Sequence, residues 1–202
     1  MSAFLDIAGD ANHRVPSPAE KILAGIQADP EGIIRAPRPT DGAAMSRLAT
    51  ALGTLDVNST YTYIMLCQYF SSTCRVAESY GALAGFVTGF RRPDAAETLF
   101  IWQVGVAPAA RRRGLALAML LALLLSTDGP PKFIEATISP SNHASRHLFD
   151  RLARLLRCGR QTGTGFDAEL FAPETHESEG IFRIGPISES IIEQLSTGVI
   201  KP

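Results

Sequence analysis

The stretch VGVAPAARRRGLALAML, Val104 to Leu120, sets three consecutive arginines, Arg111–Arg113, against Gly114 and a long apolar run. Val104, Gly105 and Val106 end a β-rich segment, TLFIWQVGV, and Pro108 breaks it. Gly114–Leu125 then reads as a strongly apolar helix, stopped by Asp128-Gly129-Pro130-Pro131. Strand, short loop, basic cluster, glycine and helix make the plan of an anion site. The first N–H groups of a helix have no intrahelical partner, and the helix dipole favours negative charge there. Glycine lets the backbone approach a ligand closely. Arginines attract a highly charged group such as a pyrophosphate. On spacing alone, the segment reads equally as a solvated basic turn at a helix end.

Working outward, Ile33–Ala36 reads as a strand, and Thr40 or Asp41 caps a helix with Met45, Leu48 and Leu52 on one face. Ser59–Phe70 is a second helical stretch. Cys74–Glu78 and Leu83–Phe90 form a hairpin about Tyr80-Gly81, and Arg92-Pro93-Asp94 turns into the strand Thr98–Val106. Past the apolar helix come a strand, Phe133–Ile138, and a helix, Asn142–Leu156, with Leu148, Leu152 and Leu155 aligned. Arg160–Gly165 reads as a polar loop, and Phe166–Phe171 and Ile181–Ile184 as the last strands. The order predicts an α/β fold: a central mixed, mostly antiparallel sheet flanked by helices, with one parallel pair at the strand–helix–strand crossover. Residues 1–31 read as a weakly ordered arm holding at most one short helix over Ala19–Ala28, residues 32–185 as the domain, and residues 186–202 as a loose tail.

The chain has 202 residues and a net charge of -1, which suits one domain and argues against a general nucleic-acid binder. Cys67, Cys74 and Cys158 show no CxxC or Cys/His ligand spacing, so no metal is expected. Their use fits a reducing cytosol. No signal-peptide pattern opens the sequence, and the run Leu115–Leu125 is too short to span a bilayer, so a soluble cytoplasmic protein is expected.

Arg111-Arg112-Arg113-Gly114-Leu115-Ala116 resembles the R/Q-x-x-G-x-G/A signature of the GCN5-related N-acetyltransferase (GNAT) family, and Asn142-His143-Ala144-Ser145 resembles its N-x-x-A/S segment. The strand and helix order agrees. The resemblance implies acetyl-CoA as co-substrate. It implies that Val104, Gly105 and Val106 hold the pantetheine arm, that Arg111, Arg112, Arg113, Gly114, Leu115 and Ala116 cradle the phosphates, and that Asn142 and Ser145 lie near the thiol end or the arm. Many members place a tyrosine seven residues after that asparagine to protonate the departing thiolate. This chain has Phe149 there, so either another group protonates the thiolate or none needs to.

The acceptor site is read from other segments. In TLDVNSTYTYIMLCQYF, Thr54–Phe70, Asn58 or Ser59 reads as a helix cap. Asp56 precedes the cap, where a carboxylate could bind a cation. Trp102, taken alone, reads as a core residue. His176, Glu177 and Glu179 in THESEG read as a solvated acidic turn, yet His176 is the histidine best placed for acceptor chemistry.

Asp56–Phe70, Leu99–Pro108, Phe133–Phe149 and His176–Ile184 together resemble the L-2,4-diaminobutyrate acetyltransferases of ectoine synthesis. That subfamily implies transfer of the acetyl group to the 4-amino group of L-2,4-diaminobutyrate by direct attack in a ternary complex, in a cytosolic homodimer. Asp56 and Glu179 become the expected amine-binding carboxylates, and Trp102 the wall against the substrate's aliphatic part. Tyr61 and His176 become candidates for proton relay or orientation. Glu179 carries a second, catalytic expectation, and Glu135 is a weaker candidate for base or substrate ligand. Arg75 and Arg183 are candidates for the substrate carboxylate. The rival readings are an N-acetyltransferase for another small amine, and a non-catalytic acetyl-CoA sensor.

Overall fold

The computed structural model describes residues 32–126, 129–171 and 176–197. The expected arm, residues 1–31, lies outside them. Strand β1 (Ile33–Arg35) pairs antiparallel with β2 (Arg75–Ser79), β2 with β3 (Ala82–Arg92), and β3 with β4 (Ala95–Val106). Tyr80 and Gly81 turn the β2–β3 hairpin, both with positive φ (50° and 71°), as a two-residue turn matched to strand twist requires. Strand β5 (Phe133–Ile138) runs parallel to β4, and β7 (Glu179–Ile184) pairs antiparallel with β5. The sheet order is β1-β2-β3-β4-β5-β7-β6, with β6 (Arg160–Phe166) at the edge.

Two cores follow from the alternation of side chains across the strands. Val76 and Phe86 face helices α1 (Gly42–Leu52) and α2 (Thr60–Tyr69), where Met45, Tyr63 and Cys67 complete a cluster. Ala77, Val87, Leu99 and Ile134 face the other side. There α3 (Leu115–Ser126), apolar all round, packs with α4 (His143–Leu155).

A β-bulge sets the phase of β4. Gln103 opposes Thr88 and Ile101 opposes Gly89, so Trp102 is the extra residue. Strict alternation would place Ile101 and Gln103 on one face. With the bulge, Leu99 and Ile101 share a core with Val104 and Val106, while Gln103 turns to the α1–α2 side and bonds Tyr63.

The C-terminal third differs from the sequence expectation. Arg160–Phe166, read as a loop, is edge strand β6, paired with β7. Its residues are nearly all exposed, so it carries no apolar alternation to mark it. Phe166–Phe171, read as a strand, instead leaves the sheet at Phe166 and passes through a 3-10 turn at Ala168–Leu170. The stretch read as a loose tail contains helix α5 (Glu189–Ser196), capped by Ser188, with Ile187, Ile191 and Leu195 buried against the α3 core. No helix among the described residues is long and apolar enough to cross a membrane.

Candidate active site

The parallel ladder between β4 and β5 ends at Phe100↔Glu135. Beyond it β4 runs on to Val106 and β5 to Ile138 without pairing, so the strands diverge. A cleft of about 800 Å³ opens where they part. Val104 and Val106 line it from β4, and Arg111, Arg112, Gly114, Leu115 and Ala116 from the loop and first turn of α3. Asn142 and Ser145 line it from the start of α4. The first α3 hydrogen bond is Ala118 N to Gly114 O, which leaves the preceding N–H groups of α3 without helical partners. Arg112 and Gly114 both adopt positive φ, 63° and 80°. For an arginine that conformation is uncommon and marks a loop shaped by something other than local preference.

Gly105 and Arg113 do not line this cleft. A Cβ on Gly105 would stand 2.8 Å from the Phe86 ring, so this glycine makes room in the α1–α2 core. Arg113 turns to a small cavity beside Ile33, Ile34 and Glu78. Asn142 is the N-cap of α4, its Oδ1 accepting the Ser145 N–H at 3.0 Å.

The acceptor candidates lie on three segments, of which the structure brings Asp56 and His176 together. Asp56 sits in the loop between α1 and α2, its carboxylate 75% exposed. Buried Gln103 holds that loop in place: its Nε2 donates to the Asp56 carbonyl at 2.8 Å, and its Oε1 accepts from Tyr63 Oη at 3.0 Å. Asp56 Oδ2 lies 3.9 Å from His176 Nε2. Glu177 Oε2 accepts the Ser141 N–H at 3.1 Å, and that N–H holds the Glu177 carboxyl below the usual carboxylate range. Glu179, at the start of β7, accepts from the Thr137 hydroxyl of β5. Trp102 is 40% exposed, not a core residue, because the bulge displaces it from regular alternation. Tyr61 stands exposed on the first turn of α2, while Tyr63 is buried. Ser59, rather than Asn58, caps α2.

Three further candidates are engaged elsewhere. Glu135 is buried between Arg92 Nη1 and Arg183 Nη1, each 2.7 Å from one of its oxygens. A carboxylate held by two guanidinium groups is a strut across β3, β5 and β7, not a ligand for an amine. Arg183 also lies over the Phe133 ring at 3.9 Å. Arg75 is buried and donates to the Ser71, Ser72 and Cys74 carbonyls and the Ser126 hydroxyl. Burial pushes the Cys67 thiol up to about 12 and the Cys74 thiol up to about 11, so neither supplies a thiolate at neutral pH.

The sequence model of the Acetyltransferase (GNAT) family matches residues 45–153. The chain is 45% identical over 152 residues to the L-2,4-diaminobutyric acid acetyltransferase of Shouchella clausii, covering 75% of this chain and 85% of that one. This chain belongs to the GNAT acetyltransferase family, in its L-2,4-diaminobutyric acid acetyltransferase branch. The structure of the diaminobutyrate acetyltransferase EctA from Paenibacillus lautus, in complex with its substrate L-2,4-diaminobutyric acid and coenzyme A, is similar at a TM-score of 0.75 and 42% identity. It covers 79% of this chain and 97% of its own. Ard1 from Thermoplasma volcanium, at 16% identity and a TM-score of 0.60, shares the fold and covers 76% of this chain and 95% of its own.

Within this GNAT chain the cleft has members that the sequence does not assign to a site: Leu52, Thr54 and Leu55 at the end of α1, and Ser139, Ser141, His143, Leu148 and Arg151. The last two carried a signal. Ser145, Leu148 and Arg151 fall on one helical stripe, so counting forward from Ser145 finds both. Gln103, which holds the Asp56 loop rather than lining the cleft, also carried one, as a polar residue inside an apolar strand. Phe149, where many GNAT members carry tyrosine, is buried in the α3–α4 core.

Proposed function

We propose that this chain transfers the acetyl group of acetyl-CoA to the 4-amino group of L-2,4-diaminobutyrate, releasing CoA and N4-acetyl-L-2,4-diaminobutyrate for a cyclising synthase that forms ectoine. The observation that carries the reading is the convergence of Asp56 and His176 beside the arginine-edged cleft. Gln103 fastens the Asp56 loop one residue from Val104, and Glu177 fastens the His176 loop to the cleft at Ser141. The Paenibacillus relative, in complex with L-2,4-diaminobutyric acid and coenzyme A, supports both substrates.

The residues assign the steps as follows. Arg111, Arg112 and Arg151 meet the phosphates at the cleft's edge, with the free N–H groups of α3. Val104 and Val106 lie along the pantetheine arm. A primary amine has a pKa of about 10, so the substrate arrives as an ammonium. Asp56 and Glu179 bind that charge, and Trp102 covers the carbon chain. His176 or Tyr61 takes one proton, freeing the lone pair to attack the thioester carbon. A backbone N–H near Val104 stabilises the developing oxyanion. A thiol has a pKa of about 8.5, so the thiolate leaves without the tyrosine that Phe149 replaces. Attack is direct, in a ternary complex, where positioning the amine beside the thioester supplies much of the acceleration.

We further infer a cytoplasmic homodimer, as the subfamily resemblance implies. The free thiols Cys67, Cys74 and Cys158 support a reducing compartment. Exposed Phe166 and Leu170 supply apolar surface that a second copy would cover.

The deciding test is thiol release from acetyl-CoA with L-2,4-diaminobutyrate, ornithine, lysine and a simple diamine as acceptors. Release dominated by diaminobutyrate, with NMR placing the acetyl group on N4, is the expected result. Release only with another amine overturns the substrate; none with any amine, despite acetyl-CoA binding, overturns the catalytic reading.

A further inference from the structure

The loop that carries His176 holds an aromatic contact that the steps above do not use. The Phe171 ring stacks on the His176 imidazole, with centroids 3.9 Å apart and planes 15° from parallel. Phe166, at the end of β6, meets Phe171 edge to face at 6.4 Å and 80°. Phe166 is itself paired with Glu179 in the β6–β7 ladder. The stack therefore rests on the sheet at the residue pair that includes one of the proposed acceptor carboxylates.

The edge of the imidazole is fixed as well. Nδ1 lies 2.7 Å from the Glu177 carbonyl oxygen. A carbonyl oxygen only accepts, so Nδ1 carries the hydrogen, and Nε2 of the neutral ring is an acceptor. Nε2 faces Asp56 Oδ2 at 3.9 Å. Two acceptors at that separation do not bond one another, but a donor placed between them satisfies both. An ammonium, with its three N–H groups, is such a donor.

We propose that Phe171 is a positioning residue for the acceptor site: its ring fixes the plane of His176, so that Nε2 and the Asp56 carboxylate face a shared point where the substrate ammonium is held. This rests on the reading of Asp56 and His176 as acceptor-binding groups. A histidine held only through the carbonyl of the next residue keeps freedom about its side-chain torsions, and the terminal one is broad. A stacked ring on one face removes that freedom, and such aromatic pairs stabilise beyond the area they bury.

The test uses the full chain with acetyl-CoA and L-2,4-diaminobutyrate. Phe171→Leu keeps apolar bulk and removes the ring; Phe171→Tyr keeps the ring. The leucine variant is expected to lose about tenfold in kcat/KM for diaminobutyrate, the size of one aromatic contact. Its KM for acetyl-CoA stays unchanged, and the tyrosine variant restores kcat/KM. Nitrogen-15 spectra of the His176 ring show a fixed Nδ1–H tautomer in the wild type and the tyrosine variant, and exchange averaging in the leucine variant. An unchanged kcat/KM and tautomer pattern in Phe171→Leu overturn the proposal, as does an averaged ring in the wild type. Full turnover in His176→Gln would overturn the acceptor reading beneath it, whereas the tautomer pattern reports on the stack in either case.

Discussion

Glu177 Oε2 accepts the backbone N–H of Ser141, fastening the loop that carries His176 to the loop that edges the cleft. One short segment thus touches both halves of the site: His176 faces Asp56, and Glu177 holds Ser141. Removing that fastening affects both substrates. Glu177→Ala is expected to raise KM for acetyl-CoA and for diaminobutyrate together, each by about fivefold, the worth of one solvent-accessible hydrogen bond. Steady-state kinetics with each substrate varied in turn check this. A rise in only one KM means the two loops are not coupled through Glu177.

The three consecutive arginines separate in the structure, and their variants separate too. Arg112 and Arg151 line the cleft, whereas Arg113 faces the β1–β2 cavity. Arg112→Ala and Arg151→Ala are each expected to raise KM for acetyl-CoA by about tenfold, in line with loss of a charge-assisted hydrogen bond. Arg113→Ala leaves that KM near wild type. Arg112→Gly adds a sharper test, since glycine adopts positive φ without steric cost. Its Tm should hold or rise while acetyl-CoA binding weakens, a split that calorimetry and titration read independently.

Much of this arrangement was legible in the sequence where burial imposes a period. The strands β2 to β5 and the helices α1 to α4 follow from apolar spacing and turn residues. The anion loop follows from Arg111–Gly114, and Asp56 and His176 stand out by residue type and position in the sequence, while the fold brings them together. What escaped lacked such a period or was outvoted. β6 is an exposed edge strand with two glycines, held by its ladder to β7. The bulge at Trp102 is a matter of register, which no local pattern fixes. Glu135 reads as a candidate base or substrate ligand because its arginine partners lie 43 and 48 residues away in the chain, out of reach of any local pattern. Helix α5 is a different failure. Ser188 followed by Ile191 and Leu195 is a capped amphipathic pattern, overlooked because it follows the last strand.

Because Ile191 and Leu195 are buried against the α3 core, α5 belongs to the folding unit. Ile191→Ala and Leu195→Ala are each expected to cost about 3 kcal/mol, the middle of the range for large-to-small changes in a core. Urea unfolding followed by circular dichroism measures this. A cost below about 0.5 kcal/mol, typical of a surface position, would mean the helix is peripheral.

Acid stability should depend on Asp41. Its hydrogen bond from Arg35, at 2.7 Å, holds its carboxyl below the ordinary carboxylate range. A carboxylate with a depressed native pKa binds fewer protons folded than unfolded. Its stabilisation is therefore full above the unfolded value of about 3.9 and is lost as pH falls through the lower native value. Asp41→Asn should lower Tm at neutral pH, and the gap to wild type should close as pH drops below about 4. A gap that stays constant across that window would rule out the Arg35–Asp41 pair as its source.

The carboxylates of the two regions should respond in opposite ways. Asp56 is exposed and Glu179 accepts from the Thr137 hydroxyl, whereas Glu135 is buried between Arg92 and Arg183. Asp56→Asn and Glu179→Gln are expected to raise KM for diaminobutyrate by about tenfold each, with Tm nearly unchanged. Glu135→Gln is expected to leave that KM alone and to lower Tm, since it removes the buried negative charge that Arg92 and Arg183 share, even though Arg92 keeps Asp94. Kinetics and thermal melts on the three variants decide the matter. If Asp56→Asn and Glu179→Gln keep wild-type turnover and KM, the ammonium is bound elsewhere. If Glu135→Gln raises KM without loss of stability, Glu135 is the ligand that its ion pairs argue against.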